Sequence, residues 1–125
     1  MLDRVVRISQ LYDFYGPLLT NKQREVVEAY YLQDLSLAEI ADELHMSRQG
    51  VHDLATRSGQ VLEDYEARLG LVARHQQRTT AIRRLETIVR RLEAELTADP
   101  EAAAGLVRLA GEVRQSLETV LDLFA

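Results

Sequence analysis

Ser47, Arg48, Gln49, His52 and Asp53 place five hydrogen-bonding side chains on what reads as the opening of one helix. On a helix laid in the DNA major groove, such a set reads base edges. Arginine pairs bidentately with guanine, glutamine with adenine, and an aspartate accepts from the cytosine amino group. A second set, Arg83, Arg84, Arg90 and Arg91, carries charge rather than base-reading geometry. At 3.6 residues per turn, Arg83 and Arg90 align on one helix edge and Arg84 and Arg91 on another. Two rungs one heptad apart can bridge phosphates, and RNA is a fitting owner of those phosphates. Each set also has a plain reading. The first is then a solvated helix opening, and the second a solvated face pairing with Glu86, Glu93 and Glu95.

Nothing else assembles into chemistry. The three histidines, His45, His52 and His75, have no carboxylate or cysteine partners at metal-ligand spacing, and the chain has no cysteine. There is no glycine-rich phosphate loop, no activated nucleophile and no isolated carboxylate pair. The expectation is a non-enzymatic protein without metal or cofactor.

Charge qualifies the first set. The net charge is −5. Residues 1–70 hold seven Lys/Arg against twelve Asp/Glu, whereas 71–125 hold eight of each. The stretch LSLAEIADELHMSRQGVHDL, residues 35–54, sets Glu39, Asp42, Glu43 and Asp53 against Arg48 alone. Affinity for nucleic acid derives largely from neutralising phosphates, so this acidity opposes binding. The basic stretch lies elsewhere: over 74–91, Arg74, Arg78, Arg83, Arg84, Arg90 and Arg91 face only Glu86. With 46% apolar and 28% charged residues, the chain has the balance of a folded globular protein. No apolar run approaches the ~18 residues of a membrane span. MLDRVVRISQLYDF lacks the uninterrupted apolar core of a signal peptide, so the cytoplasm is the expected compartment.

The elements that must position these residues all read as helices, and the fold class is all-α. Helix 1, about Asp3 to Tyr15, turns Val5, Ile8, Tyr12 and Tyr15 inward and ends at Gly16-Pro17. Thr20 opens helix 2 with Gln23 as its capping-box partner, and Val26, Val27, Tyr30 and Tyr31 form its face. Ser36 opens helix 3, with Glu39 at the box position and Leu37, Ile40, Ala41 and Leu44 inward. A turn at His45-Met46 follows, in which His45 must accept positive φ. Ser47 caps helix 4, whose stripe runs Val51, Leu54, Ala55, Ser58, Leu62, Tyr65 and Leu69 before Gly70 stops it. Helices 3 and 4 together have the spacing of a helix-turn-helix.

Beyond Gly70 the pattern becomes a heptad: Ile82, Leu85, Val89, Leu92 and Leu96. Thr97-Ala98-Asp99-Pro100-Glu101 stops one helix and restarts another, with Asp99 as cap and Pro100 at the first position. A second seam follows: Leu106, Leu109 or Ala110, Val113, Leu117, Val120 and Phe124. The division expected is a helix-turn-helix domain over 1–70 and a C-terminal antiparallel helical hairpin over 71–125. So short a hairpin must pack on something, either the N-terminal domain or a second subunit, and a homodimer is the expectation.

Residues 18–66, LLTNKQREVVEAYYLQDLSLAEIADELHMSRQGVHDLATRSGQVLEDYE, resemble the promoter-reading C-terminal region (region 4) of bacterial sigma factors. The combination of LYDFYGPLLT, YYLQDLSLAEIA, SRQGVHD and EDYEARLGL is more similar to the YlxM family. These are small bacterial helix-turn-helix proteins encoded beside signal recognition particle genes and proposed to act in, or regulate, that targeting pathway. The resemblance covers residues 1 to about 72. It implies association with a ribonucleoprotein, through its RNA or its GTPase. Two other readings stand beside it: a sequence-specific transcriptional regulator binding duplex DNA as a dimer, and a protein-interaction module with no nucleic-acid partner.

Overall fold

A computed structural model describes the backbone of residues 2–97 and 100–124, and the side chains of all these except 100–103 and 124. Every described element is helical. The chain divides into two compact units, Met1–Val72 and Ala73–Ala125.

In the first unit, α1 (Leu2–Tyr15) ends where Pro17 enters a short 3-10 turn, Gly16–Leu18. Thr20 then caps α2 (Asn21–Val27) in a reciprocal box. Its hydroxyl accepts from the Gln23 N–H at 3.2 Å, and the Gln23 side-chain oxygen accepts from the Thr20 N–H at 2.9 Å. The last turn of this helix widens to a π-turn, Glu28–Leu32. One extra residue per turn rotates the inward face, so Ala29 and Tyr31 are buried while Tyr30, expected inside, is half-buried. Asp34, at φ 54°, redirects the chain.

Ser36 caps α3 (Leu37–Leu44) through the Glu39 N–H. His45 adopts the left-handed conformation, φ 54° and ψ 47°, that the tight turn requires. Ser47 caps α4 (Arg48–Leu69) through the Gly50 N–H at 2.9 Å, and Gly70, also left-handed, ends it. α5 (Leu71–Leu96) starts at once, its first N–H groups taken by side chains. Tyr15 Oη accepts from Leu71 N at 3.1 Å, and Glu66 Oε1 accepts from Val72 N at 3.0 Å.

One core holds these elements: Ile8, Leu11 and Tyr15 of α1, Val26 and Val27 of α2, Ile40 of α3, and Val51, Ala55 and Leu62 of α4. Leu11 is an addition to the α1 stripe, and Val5 and Tyr12 are only half-buried. Each fully buried aliphatic side chain contributes roughly 1.5–3 kcal/mol. α4 runs unbroken through Gly59, where a Cβ would meet Arg4 Nη2 at 2.9 Å and Ile8 Cδ1 at 3.3 Å. Glycine there lets α1 cross close, rather than bending the helix. The crossing is fixed at its rim by Glu63, which accepts from Arg7 Nε at 3.0 Å and Nη2 at 2.9 Å, with Arg4 at 3.6 Å. Hydrogen bonding from Arg7 holds the Glu63 carboxyl below the usual range.

In the second unit α5 pairs with α6 (Pro100–Phe124). The pairing differs from the expected seams. Ile82, Val89 and Leu96 are half-buried, but Glu86 and Glu93 take the alternating positions, and Leu85 and Leu92 lie half-exposed. On α6 the covered line is Val107, Ala110, Arg114, Leu117 and Leu121, leaving Leu106, Leu109 and Val113 exposed. Two causes select this register. Ala110, 6% exposed, is the small residue buried at this seam, and here the charges meet. Arg114 reaches Glu93 at 3.1 Å and Glu118 at 3.0 Å, while Arg90 reaches Glu86 at 2.8 Å and Glu118 at 3.1 Å. The expected cap Asp99 and the side chain of Phe124 lie outside the described residues.

Candidate nucleic-acid interface

The bihelical unit of α3 and α4 positions the base-reading set. α4 buries Val51, Ala55, Ser58 and Leu62 along one side. The opposite side of its first turns, Ser47, Arg48, Gln49, His52 and Asp53, is exposed, with the His52 and Asp53 side chains 52% and 54% accessible. Gln49 Nε2 donates to Asp53 Oδ1 at 2.9 Å, so an amide and a carboxylate stand side by side one turn apart. His52 Nδ1 lies 3.8 Å from the same Oδ1.

Two further residues extend this face, Thr56 and Arg57, both exposed. Arg57 Nε donates to the Asp53 carbonyl oxygen at 3.3 Å, which lays the guanidinium along the helix. Sequence reasoning stopped at Asp53 and missed them. The signal was available: 49, 53 and 57 step by four, as do 52 and 56. With Arg57 included, residues 47–57 carry two arginines against one aspartate, so the exposed face of the first turns of α4 is not acidic. The acids Glu39, Asp42 and Glu43 belong to α3, are exposed, and join no ion pair among the described residues.

The second set is less uniform than its spacing suggested. Its four arginines are all exposed, but Arg90 is held by Glu86 and by Glu118 of α6. Arg83, Arg84 and Arg91 make no ion pair among the described residues. Of the two rungs, the Arg84–Arg91 edge is the one left fully available.

The tyrosines pack rather than form a stacking platform. Tyr15 and Tyr65 rings lie 5.9 Å apart, and Tyr30 and Tyr31 meet edge-on at 4.9 Å. Tyr15 donates to Glu66 Oε1 at 2.5 Å, and Tyr12 donates to Glu28. Burial, reinforced by the Glu28 carboxylate, pushes the Tyr12 phenol up to about 12. Tyr15 is raised for the same two reasons, with Glu66 as the acceptor. His45 and His52 are exposed, and the described residues contain no cluster of three metal-ligating side chains.

Fold and exposed helix face together define a helix-turn-helix protein. The chain matches the family described as "Putative helix-turn-helix protein, YlxM / p13 like" over residues 2–99, and it belongs to that family. It is 52% identical over 102 residues to a UPF0122 protein of Symbiobacterium thermophilum, covering 82% of this chain and 94% of that one. It is 44% identical over 117 residues to one from Thermoanaerobacter, covering 92% and 97%, and 45% identical over 108 residues to one from Geobacillus kaustophilus, covering 86% and 94%. The family match therefore continues through α5, past residue 72, where the resemblance in the sequence motifs ends. The family's description is that of a helix-turn-helix protein. No described helix is long and apolar enough to cross a membrane.

Proposed function

We propose that this protein is a cytoplasmic, non-enzymatic component of the signal recognition particle pathway that binds nucleic acid through the exposed side of α4. The particle's RNA is the first ligand, and its GTPase is the protein partner. The observation that carries the nucleic-acid part is the uncovered row Arg48, Gln49, His52, Asp53, Thr56 and Arg57, opposite a side of α4 that is fully built into the core. Arg83, Arg84 and Arg91 supply a second cationic edge for phosphates, with Arg90 partly committed to its own carboxylates. The link to the particle rests on the resemblance to the YlxM family.

A second reading is favoured by the Gln49–Asp53 pair, which offers both a donor and an acceptor to a base edge. It makes the chain a sequence-specific regulator of duplex DNA, acting as a homodimer whose two α4 helices sit about 34 Å apart, one turn of the duplex. One experiment separates the two. The chain is titrated with particle RNA, with duplex DNA enriched from a random-sequence pool by selection on the chain, and with the GTPase, at several salt concentrations. The first reading expects RNA to bind at least tenfold more tightly than duplex. Duplex binding of equal or greater strength transfers the assignment to the second reading, and binding of the GTPase alone removes nucleic acid from both.

A further inference from the structure

The hairpin carries an apolar surface that its own pairing does not use. Leu85, Ile88 and Leu92 of α5, and Leu106, Leu109 and Val113 of α6, are each between 43% and 58% exposed. On each helix these residues follow steps of three and four, so each trio is a stripe in its own right. At 100° per residue, each stripe lies about a quarter-turn from the line its helix buries, and in the same rotational sense. In an antiparallel pair, equal rotation in one sense brings both stripes to the same side of the hairpin. The register follows from the ion pairs: Glu93 lies beside Arg114, and Arg90 beside Glu118. The second unit thus presents one two-helix apolar face.

We propose that this face is where two copies of the chain meet, closing two hairpins into a four-helix bundle. Area is the first argument. Six half-exposed large side chains offer on the order of 500 Å² of contiguous apolar surface, at the top of what monomers tolerate. That is also most of the ~800 Å² per partner in a standard stable interface. Charge is the second. A two-fold contact is self-complementary, so its rim needs both signs on the same copy. Arg84, Arg91 and Glu95 flank the stripe on α5, and Glu112 lies at the outer edge of α6, all exposed. Residues 73–125 as a whole carry eight arginines and eight acids, a balance that suits a second copy. A thin interior is the third. Ala110 is the one fully buried apolar side chain described in the second unit, so the hairpin alone has little core, and a bundle supplies one.

This proposal does not rest on the nucleic-acid assignment, and its test reads mass rather than binding. Sedimentation equilibrium of the full chain should return twice 14.2 kDa at micromolar concentration. The double variant Ile88→Glu/Leu109→Glu should return 14.2 kDa with unchanged helical circular dichroism, since both side chains are exposed. Because the chain has no cysteine, Ser116→Cys, on the same side of α6, gives a single thiol that should crosslink dimers in the wild-type background and lose that crosslink in the double variant. A monomeric wild type at 100 µM-scale concentration (roughly the loading limit of such runs, far above a ~1 µM dissociation constant) overturns the proposal. So does a dimer that survives both glutamates, or uptake of the wild type by neutral phosphatidylcholine vesicles that the double variant abolishes.

Discussion

Replacing Tyr15 by phenylalanine removes one oxygen atom from the place where α1, α4 and α5 meet. That hydroxyl is fully buried, donates to Glu66 Oε1 at 2.5 Å and accepts from the Leu71 N–H at 3.1 Å. The first bond has a charged partner, worth roughly 1.5–3 kcal/mol, and the second is neutral, worth about 1 kcal/mol. The ring itself stays, so packing is conserved. The expected loss is therefore about 2–4 kcal/mol, a large share of the ~5–15 kcal/mol typical of a domain. All five tyrosines lie in the first unit and there is no tryptophan, so tyrosine fluorescence during urea unfolding reports that unit alone. The midpoint should fall with the slope m unchanged. Amide exchange should accelerate first at Leu71 and Val72, the opening turn of α5. Tyr65→Phe is the control, since its ring packs on Tyr15 and its hydroxyl makes no hydrogen bond among the described residues; it should cost under about 0.5 kcal/mol. If Tyr15→Phe unfolds within 0.5 kcal/mol of wild type (about the scatter of a neutral surface change), the hydroxyl does not join these helices.

Three smaller expectations follow from particular contacts. Glu63 titrates below its ordinary value of 4.5 because Arg7 bonds its charged form, so its contribution is complete above that value and is lost as pH falls through the folded one. The stability gap between wild type and Arg7→Ala should be widest at neutral pH and close in acid; a constant gap across that range would show the pair inert. Tyr12, raised by burial and by Glu28, should ionise near pH 12 when followed at 295 nm (the phenolate band), and Glu28→Ala should lower that value without restoring the ordinary 10.0. His45→Gly removes a Cβ from a left-handed residue at φ 54° and should raise stability by about 0.5–1 kcal/mol; a lower melting temperature would mean the imidazole makes a contact of its own.

The first unit was largely legible because local chemistry and burial agree there. Thr20, Ser36 and Ser47 are caps by residue type, His45 stands where a left-handed residue must, and Val51, Ala55 and Leu62 recur at helix spacing. What escaped was set by geometry that spacing cannot carry. The π-turn at Glu28–Leu32 brings Ala29 inward and leaves Tyr30 half-buried, and Gly59 proved to be a crossing point, visible only once α1 lies across it. The hairpin was misread in register because α6 is apolar over more than one stripe. The expected seam left Leu109 and Ala110 as alternatives; Ala110, Leu117 and Val120 are covered, but Leu106, Leu109 and Val113 are not, and Arg114 with its two carboxylates from different helices takes the place of Val113. At the candidate interface the same limit shows differently. Counting charge along residues 35–54 joined the acids of α3 to the first turns of α4, where Asp53 is the one acid, and stopped three residues short of Thr56 and four short of Arg57.

In the proposed function, the exposed side of α4 seats a polyanion despite a net charge of −5. The most direct test is the salt dependence of particle-RNA affinity for wild type and for Arg48→Ala/Arg57→Ala, with Arg84→Ala/Arg91→Ala alongside. Each arginine that neutralises a phosphate contributes about one unit to the slope of log affinity against log salt. The α4 variant should lose affinity at least tenfold and flatten the slope by about one to two units. An α4 variant that binds with wild-type affinity and slope, whether or not the α5 variant is impaired, would contradict it.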